Sequence, residues 1–164
     1  MISRRALNIL GLLACAGLLA YAWYAQAVLG LEPCPLCIFQ RVGVAAVGLV
    51  FLLAALHNPP RFGGYVYGLL LFLAGAVTAA VAARHLYIQH LPEGAVPACG
   101  ASLNYMLEVF PLTDVIRKVL TGSGECALVS WRWLGLSMPG WVLLAAVGLG
   151  ALGLYANIGA RARR

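Results

Sequence analysis

The chain has 164 residues, of which 63% are hydrophobic and only 10% charged, and its mean hydropathy is +0.91. A soluble domain needs about 25% charged residues to cover its surface, so a water-soluble globule is excluded, and the length leaves room for one domain. The formal net charge of +6, from 11 Lys and Arg against 5 Asp and Glu, leaves a nucleic-acid binder conceivable until those charges are placed.

A bilayer core about 30 Å thick is crossed by roughly 20 apolar residues in a helix. Four stretches qualify and predict spans over about 7–29, 39–57, 65–83 and 139–158. The first lies in an apolar run from Ala6 to Leu31 interrupted only by Asn8 and Gln26. Arg4-Arg5 with Ala25-Gln26-Ala27 looks like a cleavable signal, and Leu12-Leu13-Ala14-Cys15 like a lipoprotein signal. Signal peptides end their apolar stretch after about 7 to 15 residues, so the longer run reads as a retained span. The second span carries Arg41 at its outer edge. The third lies between the turn sequence His57-Asn58-Pro59-Pro60-Arg61-Phe62-Gly63-Gly64 and Arg84. The fourth opens with Pro139, which suits a first helical turn because its missing N–H has no partner to lose there. The fold expected is an all-α, integral-membrane four-helix bundle, one domain over 1–164, with loops 30–38 and 84–138 on one side and the turn 58–64 on the other.

The long loop holds Pro92, Pro97 and Pro111. Within it Asn104 to Leu120 predicts a helix broken or kinked at Pro111. Met106, Leu107, Val109, Phe110, Leu112, Val115, Ile116, Val119 and Leu120 make an apolar face beside Glu108, Asp114, Arg117 and Lys118. Such a segment either lies on the membrane surface or folds back on the loop.

Four spans place both termini on one side. The termini and the 57–64 turn carry Arg4, Arg5, Arg61, Arg161, Arg163 and Arg164 with no acid. The other side carries Arg41, Arg84, Arg117, Lys118 and Arg132 against Glu32, Glu93, Glu108, Asp114 and Glu125. The excess of basic residues marks the cytoplasmic face, so the termini are expected in the cytoplasm and loops 30–38 and 84–138 in the periplasm. The whole net charge is then a topology signal within a lipid bilayer, and no nucleic-acid partner is expected.

Cys15 falls within the first span, where a thiol packs as a small hydrophobe. Cys34, Cys37, Cys99 and Cys126 all lie on the side where disulfides persist. Cys34-Pro35-Leu36-Cys37 can close a small ring. Unpaired N–H groups at the start of span two favour an anionic sulfur there, with Arg41 one turn away from Cys37. A thioredoxin-like domain would need a βαβ pattern that is absent, and a zinc or iron–sulfur site two short knuckles, so no metal site is expected. A structural pair of disulfides stays open, although so small a ring staples little. The other reading is two exchangeable disulfides, Cys34–Cys37 at the lipid edge and Cys99–Cys126 in the long loop, forming an electron relay by thiol–disulfide exchange. A lipid-soluble quinone is a plausible acceptor at that depth.

Cys34-Pro35-Leu36-Cys37-Ile38-Phe39-Gln40-Arg41 resembles the C-x-x-C-x-x-x-R entry to the second span of the DsbB family of bacterial disulfide-bond formation proteins. Gly124-Glu125-Cys126-Ala127, followed by Trp131, Leu134-Gly135, Met138-Pro139 and Trp141, resembles that family's approach to its fourth span. The resemblance covers essentially the whole chain. It implies an inner-membrane protein-disulfide:quinone oxidoreductase that reoxidises a periplasmic, thioredoxin-fold oxidase of the DsbA type and delivers electrons to ubiquinone or menaquinone. By the same resemblance Cys99 receives the partner's thiolate, Cys126 is its loop mate, Cys34 exchanges with Cys126, and Cys37 faces the quinone. Arg41 would stabilise the quinone or the charge on Cys37, and His85 resembles a family histidine near the quinone. Trp131, Trp133 and Trp141 fit an interfacial aromatic belt. The vitamin K epoxide reductase type of enzyme also combines a C-x-x-C with two loop cysteines, but in the opposite chain order.

Overall fold

The computed structural model describes residues 3–59, 61–92, 103–122 and 124–159. Among the described residues four helices are long and apolar enough to cross a membrane: α1 (Arg4–Ala27), α2 (Pro35–His57), α3 (Arg61–Gln89) and, after three short helices and a small hairpin, α7 (Met138–Asn157). The all-α membrane bundle expected from the sequence is therefore observed. At 1.5 Å per residue the 20 residues of α7 reach about 30 Å and the 29 of α3 about 44 Å. Only α3 greatly exceeds the hydrocarbon slab.

Local chemistry sets the helix ends. The Ser3 hydroxyl accepts from the Ala6 N–H at 3.2 Å to cap α1. Cys34 caps α2 in an extended conformation with Pro35 following it, and Asn58 ends α2 in the left-handed region at φ 38°. The helix α3 runs past Ala83, where its charge-free stretch ends, to Gln89. Arg84 can sit within it because its guanidinium donates to Leu120 O (2.9 Å) and Thr121 O (3.3 Å) at the end of the later helix α5 (Leu112–Thr121). A cation meeting the carbonyl end of a helix is favourably placed.

The bundle is built by α1 on α2, α2 on α3, and most extensively α3 on α7. Its core contains Phe51, Leu71, Val47, Leu149 and Cys15, while Leu13, Leu49, Leu69, Val77 and Leu144 face outward. Outward leucines on every span are stable only in an apolar solvent. Helices in lipid approach through small residues, and α3 meets α7 at Gly75, where a Cβ would stand 3.0 Å from Ala146 O and 3.1 Å from Gly150 Cα. Near the N-terminus of α1, Asn8 and Asn157 are fully buried and exchange amide hydrogen bonds of 3.2 and 2.9 Å between α1 and α7. At that same end Arg4 donates to Asn58 Oδ1 and to Asn58 O.

At the opposite end, α4 (Leu103–Val109), α5 and α6 (Gly124–Ala127) cover the bundle. The predicted 104–120 helix is two helices, because Pro111 supplies no N–H to continue the first and stands at the N-cap of the second. On α5, Val115 and Val119 are buried in a cluster with Leu36, Ile88, Met106 and Cys126, while Leu112, Ile116 and Leu120 stay exposed. This helix thus uses one apolar edge against the protein and leaves another outward. A two-stranded antiparallel hairpin, β1 (Arg132–Trp133) and β2 (Leu136–Ser137), turns through Leu134 (φ 50°) and Gly135 (φ 82°) and leads into α7. Positive φ at both central residues gives the turn a twist that matches the strands.

Candidate redox site

The start of α2 builds the site. Because Cys34 is the cap, its Sγ accepts from the Cys37 backbone N–H at 3.4 Å, and one helical turn brings Cys37 Sγ to 3.1 Å from Cys34 Sγ. Cys34 is buried and Cys37 half-buried. Two sulfurs so held can close to a disulfide with little movement of the backbone.

The long α3 carries His85 to the same place. Its ring is 2% exposed, with Nε2 3.7 Å from Cys34 Sγ and 3.1 Å from Cys126 O. Its other nitrogen, Nδ1, lies 3.0 Å from Gln40 Nε2 on α2. Cys126 itself is buried on α6 in the cluster that includes Cys34 and Leu36. His85 therefore touches both the inner pair and the backbone of a loop cysteine. Cys34, Cys37 and His85 offer three donor atoms within 4.8 Å of one another, a spacing that could hold a thiophilic cation. A closed structural zinc site takes four ligands, and no other Cys, His, Asp or Glu joins this trio among the described residues.

Arg41 reaches across to α1, donating through Nη1 to Gln26 Oε1 (2.6 Å) and through Nη2 to Ala22 O (3.0 Å). Between α1, α2, α3 and the entry to α7 lies a cavity of about 450 Å³ onto which Cys37, Arg41, Gln40 and His85 open. Leu18, Leu19, Val44 and Val142 make its apolar wall. Trp131, Trp133 and Trp141 also line it. Trp141 Nε1 donates to Trp133 O at 3.2 Å, and Trp131 sits edge-on to Tyr21 at 6.0 Å between ring centroids. These tryptophans thus wall a cavity as well as standing near the end of the bundle. Its size and its apolar wall with a few polar groups at one end are those of a small-molecule pocket.

Of the six residues singled out from the sequence, Cys34, Cys37, Arg41 and His85 converge on this cavity, and the Cys126 carbonyl meets the His85 ring. Cys99 lies outside the described residues. Sequence reasoning did not single out Gln40 or Gln26, which hold His85 and Arg41. Their signal was present, since a polar residue within a membrane span is costly and faces an interior partner.

Comparison with known proteins follows the same outline. A family model described as Disulfide bond formation protein DsbB matches residues 4–156. Disulfide bond formation protein B of Xanthomonas euvesicatoria pv. vesicatoria is 51% identical over 160 residues, covering 97% of this chain and 93% of the relative. The protein of the same description from Marinobacter nauticus is 55% identical over 143 residues, 87% and 85% of the two chains. That from Nitrosococcus oceani is 52% identical over 146 residues, 89% and 86%.

Proposed function

The chain belongs to the DsbB family of disulfide bond formation proteins, and from that premise we propose that it reoxidises a periplasmic DsbA-type dithiol oxidase and passes two electrons to a respiratory quinone, ubiquinone or menaquinone. The observation that carries this reading is the sulfur pair of Cys34 and Cys37, 3.1 Å apart at the edge of an apolar cavity that Arg41 also faces. A soluble substrate would not need an apolar cavity among membrane helices. A flat, lipid-soluble ring fits a volume of about 450 Å³ with Leu18 and Leu19 on one wall.

The thiol chemistry is conservative. A partner thiolate attacks Cys99, forming a mixed disulfide and releasing Cys126 as a thiolate. Cys126 then attacks Cys34, the Cys34–Cys37 bond breaks, and Cys37 leaves as a thiolate beside the cavity. The partner's second thiolate resolves the mixed disulfide and releases Cys99, whose thiolate attacks Cys126 and displaces Cys34, so the partner leaves oxidised and Cys34 and Cys37 hold the two electrons as a dithiol. When bound, a quinone supplies the acceptor for two electrons and two protons. Arg41, held from α1, offers fixed cationic donors to an anionic group in the cavity, and His85 places an N–H beside Cys34. A DsbA-type partner lies near −120 mV, so its reoxidation needs an acceptor of higher potential than glutathione, and for two electrons about 30 mV corresponds to 1.4 kcal/mol.

The placement that goes with this role is the bacterial inner membrane, both termini in the cytoplasm and the cysteine end in the periplasm, supported by the distribution of basic residues. The test mixes the purified full chain with a reduced DsbA-type partner and ubiquinone and follows loss of quinone absorbance. Turnover is expected with the native chain and its loss with Cys37→Ser. Turnover that survives Cys37→Ser would overturn the mechanism.

A further inference from the structure

The buried contacts of His85 specify which ring nitrogen carries the proton. A carbonyl oxygen only accepts, so Nε2, 3.1 Å from Cys126 O, carries a hydrogen. In the neutral ring Nδ1 then has only a lone pair, and Gln40 must present its amide N–H to it, as the 3.0 Å contact from Nε2 of Gln40 does. Gln40 is only 4% exposed, so the contact is made inside the protein. The hydrogen on His85 Nε2 is thereby aimed at a region containing both Cys126 O and, 3.7 Å away, Cys34 Sγ.

We propose that Gln40 is a positioning residue, which locks His85 in its Nε2–H form so that one N–H bridges the Cys34 sulfur and the Cys126 peptide and holds the two cysteines in register for exchange. This rests on the relay proposed above. Gln40 touches no reacting atom; it acts through the ring. Without its N–H donor, the imidazole can rotate or adopt the Nδ1–H form, which turns a lone pair toward both the carbonyl and the sulfur.

The test needs neither quinone nor partner, so it can fail while the relay stands. In the full-length Cys37→Ser/Cys99→Ala chain, Cys34 and Cys126 are equilibrated with a glutathione couple, two thiols and one oxidised glutathione giving the Cys34–Cys126 disulfide and two reduced glutathiones. The oxidised fraction gives the effective concentration of the two sulfurs. Adding Gln40→Leu is expected to lower it about tenfold. Adding Gln40→Glu is expected to leave it within about twofold, because a carboxylate at Nδ1 holds a second proton on the ring and leaves Nε2–H in place. A purely packing role predicts the reverse order, since a buried carboxylate is costlier than an apolar side chain of similar size. Either that reversed order or an unchanged value in Gln40→Leu overturns the proposal. Ring-¹⁵N NMR of the otherwise native chain provides a second measurement that does not depend on either variant folding: a protonated Nε2 and an unprotonated Nδ1 at His85 support it, and the opposite form overturns it.

Discussion

At one end of the bundle Asn8 and Asn157 satisfy each other with two amide hydrogen bonds, a third running from Asn157 to Gly153 O. At the other end Cys34, Cys37, Gln40, His85 and Arg41 also bury or half-bury polar atoms, but they border a cavity. Both ends obey the rule that polar groups inside a membrane protein find partners. The difference lies in what is left over. The asparagine pair closes on itself and can serve only to fix α1 against α7. The cysteine end keeps a reactive sulfur and a cation facing open space, as proposed for a site that must exchange thiols and admit a cofactor.

The largest expected effect breaks the reactive end without disturbing the closed one. Cys37→Ser replaces sulfur by oxygen at nearly constant shape, so thermal unfolding in detergent should shift little, while partner-driven quinone reduction should fall by at least about a thousandfold, as expected for loss of a covalent nucleophile. Cys99→Ala should leave the native chain unable to form a mixed disulfide with a DsbA-type partner, read by non-reducing electrophoresis after acid trapping. Reduction of quinone by a small dithiol should continue in that variant, because Cys34 and Cys37 remain.

Asn8→Leu should show the opposite profile. It strands the Asn157 amide, which keeps one bond to Gly153 O. Interhelical hydrogen bonds in membranes average about 0.6 kcal/mol and an unsatisfied buried group adds to that, so a loss of about 1–2 kcal/mol is expected in a denaturant titration, with quinone turnover within twofold of native. Asn8→Leu/Asn157→Leu should lose less than the sum of the single changes, since no amide is left unpaired. A large loss of turnover in Asn8→Leu would mean that the two ends are coupled.

Much of this contrast was legible in the residues. The existence of four spans follows from runs of apolar residues too long for anything but a bilayer crossing, and the start of α7 from Pro139, whose missing N–H suits a first turn. Arg84 misled the reading of where α3 ends, because a charge marks a membrane boundary only when its partners are water or headgroups, and here they are carbonyls of α5, 36 and 37 residues away in sequence. The union of Gln40 with His85 was hidden for a related reason. It spans 45 residues and depends on how α2 packs against α3, which no periodicity encodes. Asn8 and Asn157 are 149 residues apart, and the reading of span one saw Asn8 only as an interruption of an apolar run.

The smallest expected effect sharpens the comparison at its finest point, the hold on Arg41. Gln26 is exposed and accepts from Nη1 of Arg41 at 2.6 Å, while the Ala22 carbonyl accepts from Nη2 at 3.0 Å. Gln26→Leu removes the first contact and leaves the second, so the guanidinium stays near the cavity but can swing about one anchor. A charge-assisted bond at an exposed site contributes only a fraction of the 1.5–3 kcal/mol seen when charged groups bond in protected settings. If quinone binds through Arg41, as proposed, the KM for a short-chain quinone should rise about threefold and kcat stay unchanged. A fall in kcat with constant KM would instead place Gln26 in support of the sulfur chemistry. No change in either would show that the Ala22 carbonyl alone suffices, and that the reactive end tolerates looseness that the asparagine pair does not.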